Sequence, residues 1–129
     1  MKDWLNSVLA RIADGTLLPA AYFRELDCDA VGEARDGDPR FEKNWMKLFS
    51  EMEKRWDTTD VDDEIADLVD ELREVSFLAA GSATGYHDIA SNVSDDLDLV
   101  ARSRLVGLSD PFLDDLWAAY DRGEYPLPR

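Results

Sequence analysis

The chain has 129 residues, of which 29 are acidic and 14 are basic, so its net charge at pH 7 is −15. Hydrophobic residues make up 45% of it, which is enough apolar surface to build a folded core despite that charge. A field of this sign repels nucleic-acid phosphates and anionic membrane surfaces, and it attracts cationic proteins. We therefore expect a basic protein as partner, with no direct nucleic-acid contact and no membrane association.

Cysteine usage and apolar run lengths bear on the cellular compartment. The single cysteine, Cys28, excludes an internal disulfide and a multi-cysteine metal site. The first residues show no basic region followed by an apolar run, and no stretch approaches the roughly 18 consecutive apolar residues that span a membrane. These features predict a protein of the reducing cytoplasm. Its length is that of one domain, which we place at residues 1–129.

The spacing of apolar residues predicts helices nearly throughout and no alternating strand. The first helix is expected from about Asp3 to Asp14, where Gly15 supplies the stop. A short second helix is expected after Pro19. The stretch Asp27–Asp38 holds two glycines and many charges, and we interpret it as a loop.

The second half of the chain shows clearer helix boundaries. An Asp-Pro start favours a helix over Asp38–Trp56, and the next helix is expected from Val61 to about Ala80. A turn of small residues is expected at Gly81–Gly85, followed by a helix over about 88–105. The last helix begins at a Ser-Asp-Pro cap and ends at Gly123. The prediction is an all-α bundle of five or six helices.

The predicted helix from Val61 to Ala80 has two faces of opposite character. At 100° per residue, apolar side chains occupy one arc of roughly 120°. Acidic side chains occupy a second arc, roughly opposite, which we call the acidic ridge: Asp60, Asp63, Glu64, Asp67, Asp70, Glu71 and Glu74. Like charges three and four residues apart repel one another, so this pattern favours a complement to a cationic partner over a device for helix stability. A merely solvated face is the alternative interpretation.

The ridge is expected to stop by Glu74. Leu78 lies on the carboxylate side rather than on the apolar stripe, so we expect the stretch Phe77–Ala83 to be enclosed by other helices. The segment Arg35–Arg55 holds six basic and five acidic residues, and the helix before the ridge is therefore expected to be nearly neutral. This asymmetry suits a directional binding surface.

Candidate catalytic groups are sparse, and we expect a protein that is not an enzyme. His87 is the only histidine and precedes a predicted helix, where a surface or capping role is typical. Cys28 lies between two aspartates, which disfavour its thiolate.

One catalytic hypothesis comes from a family resemblance. The all-α nucleotide pyrophosphohydrolases carry acidic residues three apart on two adjacent helices, and the spacing of Glu71 and Glu74, then Asp95 and Asp98, resembles that pattern. The resemblance implies a magnesium site made of carboxylates. Asp95 stands where that family has glutamate, and no basic cluster nearby could hold phosphates.

The C-terminal segment 116–126 resembles an ending found in many small bacterial immunity proteins, in which a helix with Trp and Tyr runs into Gly, an aromatic residue and Pro. The resemblance implies binding of a cognate toxin domain. Many such toxins are cationic nucleases, which an acidic ridge would complement. Trp117 and Tyr120 fit the apolar face of the last helix, whereas Tyr125 lies beyond its stop and is expected to contact the partner. A nucleic-acid mimic that inhibits a DNA- or RNA-binding protein is the alternative use of the ridge.

Overall fold

The computed structural model describes residues 1–128, and this part of the chain contains seven α-helices and no strand. In chain order the helices are α1 (Lys2–Asp14), α2 (Ala20–Arg24), α3 (Cys28–Asp36), α4 (Pro39–Thr58), α5 (Asp63–Thr84), α6 (His87–Leu105) and α7 (Pro111–Asp121). The all-α class is confirmed, and the expected number of five or six helices is too low.

The additional helix is α3, which occupies the stretch interpreted as a loop. The Asp27 side chain caps its start by accepting a hydrogen bond from the backbone N–H of Ala30 at 3.1 Å. α3 buries three side chains spaced three and four residues apart: Cys28, Val31 and Arg35. The spacing is that of a helix, but one glycine and two charged residues between these positions hide it.

α5 is longer than expected at its C-terminal end. The small-residue stretch continues the helix as far as Thr84, and Gly85 ends it with φ 72°. The Gly85 N–H donates to the carbonyl oxygen of Gly81 at 2.8 Å. A left-handed φ is readily adopted by glycine, so the stop lies at the second glycine of the stretch and not at the first.

α6 is the central helix of the described fold. It packs most extensively against α5 and also contacts α3, α4 and α7, while α1 and α2 pack against α5. Between Ile89 and Ser103 it buries residues around most of its circumference, which is typical of a helix in the core. α5 therefore packs against α6, α1 and α2 with one side, and its other side faces solvent.

α7 contributes aromatic packing. Tyr120 is fully buried, and Trp117 is half-buried with its ring centroid 5.2 Å from that of Trp4. The core packing expected for both residues is confirmed.

No helix among residues 1–128 is long and apolar enough to cross a membrane.

Candidate interaction surface

The acidic ridge lies on the solvent-facing side of α5. Six of its members belong to the helix, and all six are exposed: Asp63, Glu64, Asp67, Asp70, Glu71 and Glu74. Asp60 is exposed as well, but it precedes the first residue of α5 and lies in the connection from α4. The helical ridge therefore begins at Asp63.

The local sequence explains why α5 tolerates so many carboxylates. The Asp62 side chain accepts a hydrogen bond from the Glu64 N–H at 2.8 Å, and two acids in the first turn interact favourably with the helix dipole. Lys2 of α1 lies 2.6 Å from the Glu64 carboxylate, and this hydrogen bond raises the pKa of Lys2. Burial of Val69 and Leu72 on the opposite face stabilises the helix further.

Arg73, the one basic residue of α5, points away from the ridge. Its guanidinium contacts α6, with Nη1 2.9 Å from Asp98 and Nη2 3.3 Å from Asp95. Asp98 is buried and pairs with Arg102 as well, at 2.8 Å. Desolvation raises the pKa of Asp95, while the charge of Arg73 opposes the rise. The Arg73 guanidinium therefore binds α5 to α6, and it does not neutralise the carboxylates of the ridge.

The same contacts bear on the magnesium hypothesis. Asp95 and Asp98 face Arg73, whereas Glu71 and Glu74 are exposed on the ridge. Within residues 1–128, no group of three or more His, Cys, Asp or Glu side chains is placed to hold a metal ion. The sequence spacing does not bring the four carboxylates together as a ligand set.

The C-terminal end of the ridge is apolar and exposed. Leu78 is 55% exposed, so the expectation that the whole stretch 77–83 is enclosed is wrong. Phe77 is half-buried, with its ring centroid 5.5 Å from that of His87 at the start of α6. Tyr86, next to His87, is 45% exposed. The carboxylates of α5 therefore give way to exposed apolar side chains.

Tyr125 is not free to meet a partner, contrary to the expectation, because the tail folds back onto the core. The residue is 2% exposed. Its N–H donates to the Tyr22 hydroxyl at 3.0 Å, its own hydroxyl accepts from Asn92 Nδ2 at 3.0 Å, and its ring lies 5.1 Å from the Arg35 guanidinium carbon. Burial, the largest influence, raises the pKa of Tyr125 to about 12.

The burial of this phenol predicts sensitivity to alkali. The ordinary pKa is 10.0, and burial also raises the pKa of Tyr120. Because the folded state disfavours the phenolate, this stability is fully present below about pH 10 and is lost as pH rises through about 12. Urea unfolding across this window should show a loss of roughly 3 kcal/mol for Tyr125. Tyr125→Phe should lose correspondingly less, and an equal loss in both proteins would contradict the assignment.

Beneath Tyr125 lies a buried ion pair that the sequence analysis missed. Asp96 is completely buried and accepts four hydrogen bonds: from Arg35 Nη1 at 2.7 Å and Nη2 at 3.0 Å, from Trp45 Nε1 at 2.9 Å, and from the Tyr120 hydroxyl at 2.6 Å. Burial by itself lowers the pKa of Arg35, but the charge and hydrogen bonds of Asp96 raise it above its ordinary value.

α4 carries the opposite charge on its outer side. Four basic residues there are exposed, and none makes an ion pair with residues 1–128: Arg40, Lys43, Lys47 and Lys54. Two of its acids pair with arginines, Glu51 with Arg55 and Glu53 with Arg102. The helix is nearly neutral in composition, but it presents cations to solvent.

A cleft of about 620 Å³ opens between the N-terminal end of α4, one side of α7 and the C-terminal tail. Phe41, Phe112 and Pro126 contribute apolar wall, and Arg40 and Arg122 contribute charge. No sequence pattern indicated this cleft, because the start of α4 lies far along the chain from α7 and the tail that follows it.

These observations define an all-α protein with an acidic face on the solvent-facing side of one helix, α5. The sequence model of the family described as Immunity protein PIM1 matches residues 7–127. Since the match covers nearly the whole chain, the chain belongs to this family. A comparison with curated proteins found no match. The resemblance to immunity proteins is confirmed, and it extends far beyond the C-terminal segment that carried it.

Proposed function

We propose that the chain binds a cognate toxin domain and neutralises it, with the acidic ridge as its main contact surface. Membership of an immunity protein family supports the neutralising role. The observation that carries the choice of surface is the row of six exposed carboxylates on α5, of which five make no ion pair with residues 1–128: Asp63, Asp67, Asp70, Glu71 and Glu74.

The ridge suits a cationic partner for two physical reasons. A patch of one sign steers an oppositely charged protein during diffusional encounter and raises the association rate. The ridge is also held rigidly, because α5 is packed against α6, α1 and α2 and is fixed by the ion pair of Arg73 with buried Asp98. A surface that is ordered before binding loses little conformational entropy when the complex forms.

Neutralisation then needs no chemistry from the immunity protein. An acidic helix laid across a cationic catalytic groove occupies the place of an anionic substrate and keeps the substrate out. We propose that the protein acts in this way in the cytoplasm, as a binding protein without catalytic activity. The exposed cations of α4 would repel the same partner, which favours α5 over α4 as the contact helix.

Co-expression with a toxin tests the proposed function. The candidate toxin domains are the products of the genes next to the gene of this chain, each expressed alone and together with it. The product that is toxic when expressed alone is the probe. We expect co-expression to restore growth and the two purified proteins to form a stable complex. Toxicity that persists without a complex would contradict the proposal. Inhibition of a DNA-binding enzyme in place of the toxin would instead assign the ridge to nucleic-acid mimicry.

A further inference from the structure

We infer that Leu78 and Tyr86 form an apolar anchor next to the acidic ridge, and that this anchor inserts into an apolar pocket beside the cationic patch of the toxin. This inference rests on the proposed function. It adds a second requirement to the partner, because a cationic surface without an adjoining apolar pocket would meet the ridge but would not be held by it.

The helical phase places Leu78 in line with the ridge. It follows Glu74 by four residues and Glu71 by seven, and residues at these spacings lie one above the other on the same side of a helix. The opposite side of α5 already supplies buried Val69 and Leu72 to the core, and Leu78 is 55% exposed. Its side chain is therefore available to a partner that covers the ridge.

Tyr86 extends the apolar surface beyond the end of α5. It follows Gly85, the residue that ends the helix, and its side chain makes no capping hydrogen bond to α6. His87, its neighbour, is in ring contact with Phe77, which precedes Leu78 in the chain. This contact places Tyr86 and Leu78 at the same end of the α5–α6 pair.

The combination of ridge and anchor matches the usual construction of protein interfaces. Their energetic centres are apolar and aromatic side chains that become fully buried, and charged residues surround them. Exposed charges act mainly on the association rate, whereas buried anchors act mainly on dissociation. Single exposed apolar residues are ordinary on a protein surface. Leu78 is informative because it continues a charged face, and Tyr86 adds an exposed aromatic ring at the same end of the helix pair.

The test compares two double variants that each lose two exposed apolar side chains. Leu78→Ala with Tyr86→Ala removes the anchor, and Met46→Ala with Leu127→Ala removes side chains of similar exposure (54% and 49%) elsewhere. The probe is the toxin domain encoded beside the gene, and binding kinetics are measured at low and high salt. We expect the anchor variant to dissociate about tenfold faster or more, equally at both salt concentrations, with little change in the association rate. The control should dissociate like the wild type.

A third variant, Leu78→Gln, keeps the length of the side chain and favours the helix, and it should also speed dissociation. Unchanged dissociation in the anchor variants, or an equal rise in the control, would overturn the anchor and leave the proposed toxin binding intact. Failure of the wild-type chain to bind the toxin would overturn the anchor and the proposed function together.

Discussion

Replacing Asp96 with asparagine is expected to lower the free energy of unfolding by about 3–5 kcal/mol, because removal of one partner of a buried ion pair leaves the other charge uncompensated. Arg35 would lose its counter-charge in a buried position, and the asparagine amide group would face donors where the carboxylate oxygens now accept. A domain of ordinary stability has about 5–15 kcal/mol in total, so the loss should be visible as a large fall in the urea midpoint.

The chain offers a matched control in the neighbouring residue. Asp95 also pairs with an arginine, Arg73, but its side chain is 49% exposed. Asp95→Asn should cost less than about 1 kcal/mol, because exposed ion pairs are weak. The double variant Arg35→Met with Asp96→Leu should lose less stability than the sum of the losses of Arg35→Met alone and Asp96→Leu alone, because it leaves no unpaired charge. Part of the loss should remain, because the buried Tyr120 hydroxyl loses its acceptor.

Urea unfolding of these variants can contradict the expectation in two ways. A stability of Asp96→Asn within about 1 kcal/mol of the wild type would show that the ion pair is not closed to solvent. A double variant that loses the sum of the losses of Arg35→Met alone and Asp96→Leu alone would show that Arg35 and Asp96 act independently, against the bidentate geometry.

Most helices could be predicted from the sequence because caps and apolar period agree along the chain. The Asp-Pro starts of α4 and α7 are examples, since the side chains of Asp38 and Asp110 both accept hydrogen bonds from the first turn of their helices. α3 escaped prediction for a physical reason. One of the three side chains that α3 buries is Arg35. An arginine in a sequence is assigned to the surface unless the acid that pairs with it in the core is known.

The partner of Arg35 is Asp96, and the burial of Asp96 could have been predicted from the sequence. Asp96 lies three residues after Val93 and four before Val100, on the apolar face of α6, where a lone acid requires a buried cation or donors. The sequence does not say which residue supplies them. Arg35 is 61 positions away, and a long-range pairing of this kind comes from the packing of α3 on α6.

The exposed side of α5 could be predicted, because the rotation of 100° per residue determines which residues share one side of a helix. All the ridge members inside the helix are exposed. The ends of the ridge could not be predicted. Asp60 falls outside the helix because Asp62 provides the cap, and Leu78 is exposed because no described helix covers that side of α5. The exposure of Tyr125 was predicted wrongly, because the end of a helix does not determine where the following residues fold.

Reversing Asp67, Asp70 and Glu71 to lysine is expected to slow association with the cognate toxin domain by about tenfold or more at low ionic strength. The three carboxylates lie at the middle of the ridge, and their reversal replaces attraction with repulsion over its central turns. None of them makes an ion pair with residues 1–128, so the fold should persist and the thermal midpoint should not fall. Removing like-charge repulsion within α5 favours the same outcome.

The matched control reverses three exposed acids outside the ridge, Glu25, Glu33 and Asp57, and changes the net charge by the same amount. If the partner responds only to the net charge of the protein, the association rate should fall equally in both variants. If the partner contacts the ridge, the association rate should fall far more in the ridge variant than in the control. Near 1 M salt, where the Debye length is about 3 Å, the difference between the variants should shrink.

The association rate of the ridge variant relative to this control, measured at low salt with the toxin domain encoded beside the gene, tests the central claim most directly. The ridge as contact surface predicts a rate about tenfold or more below that of the control. Equal rates in the two variants would show that the partner binds a different face of the protein.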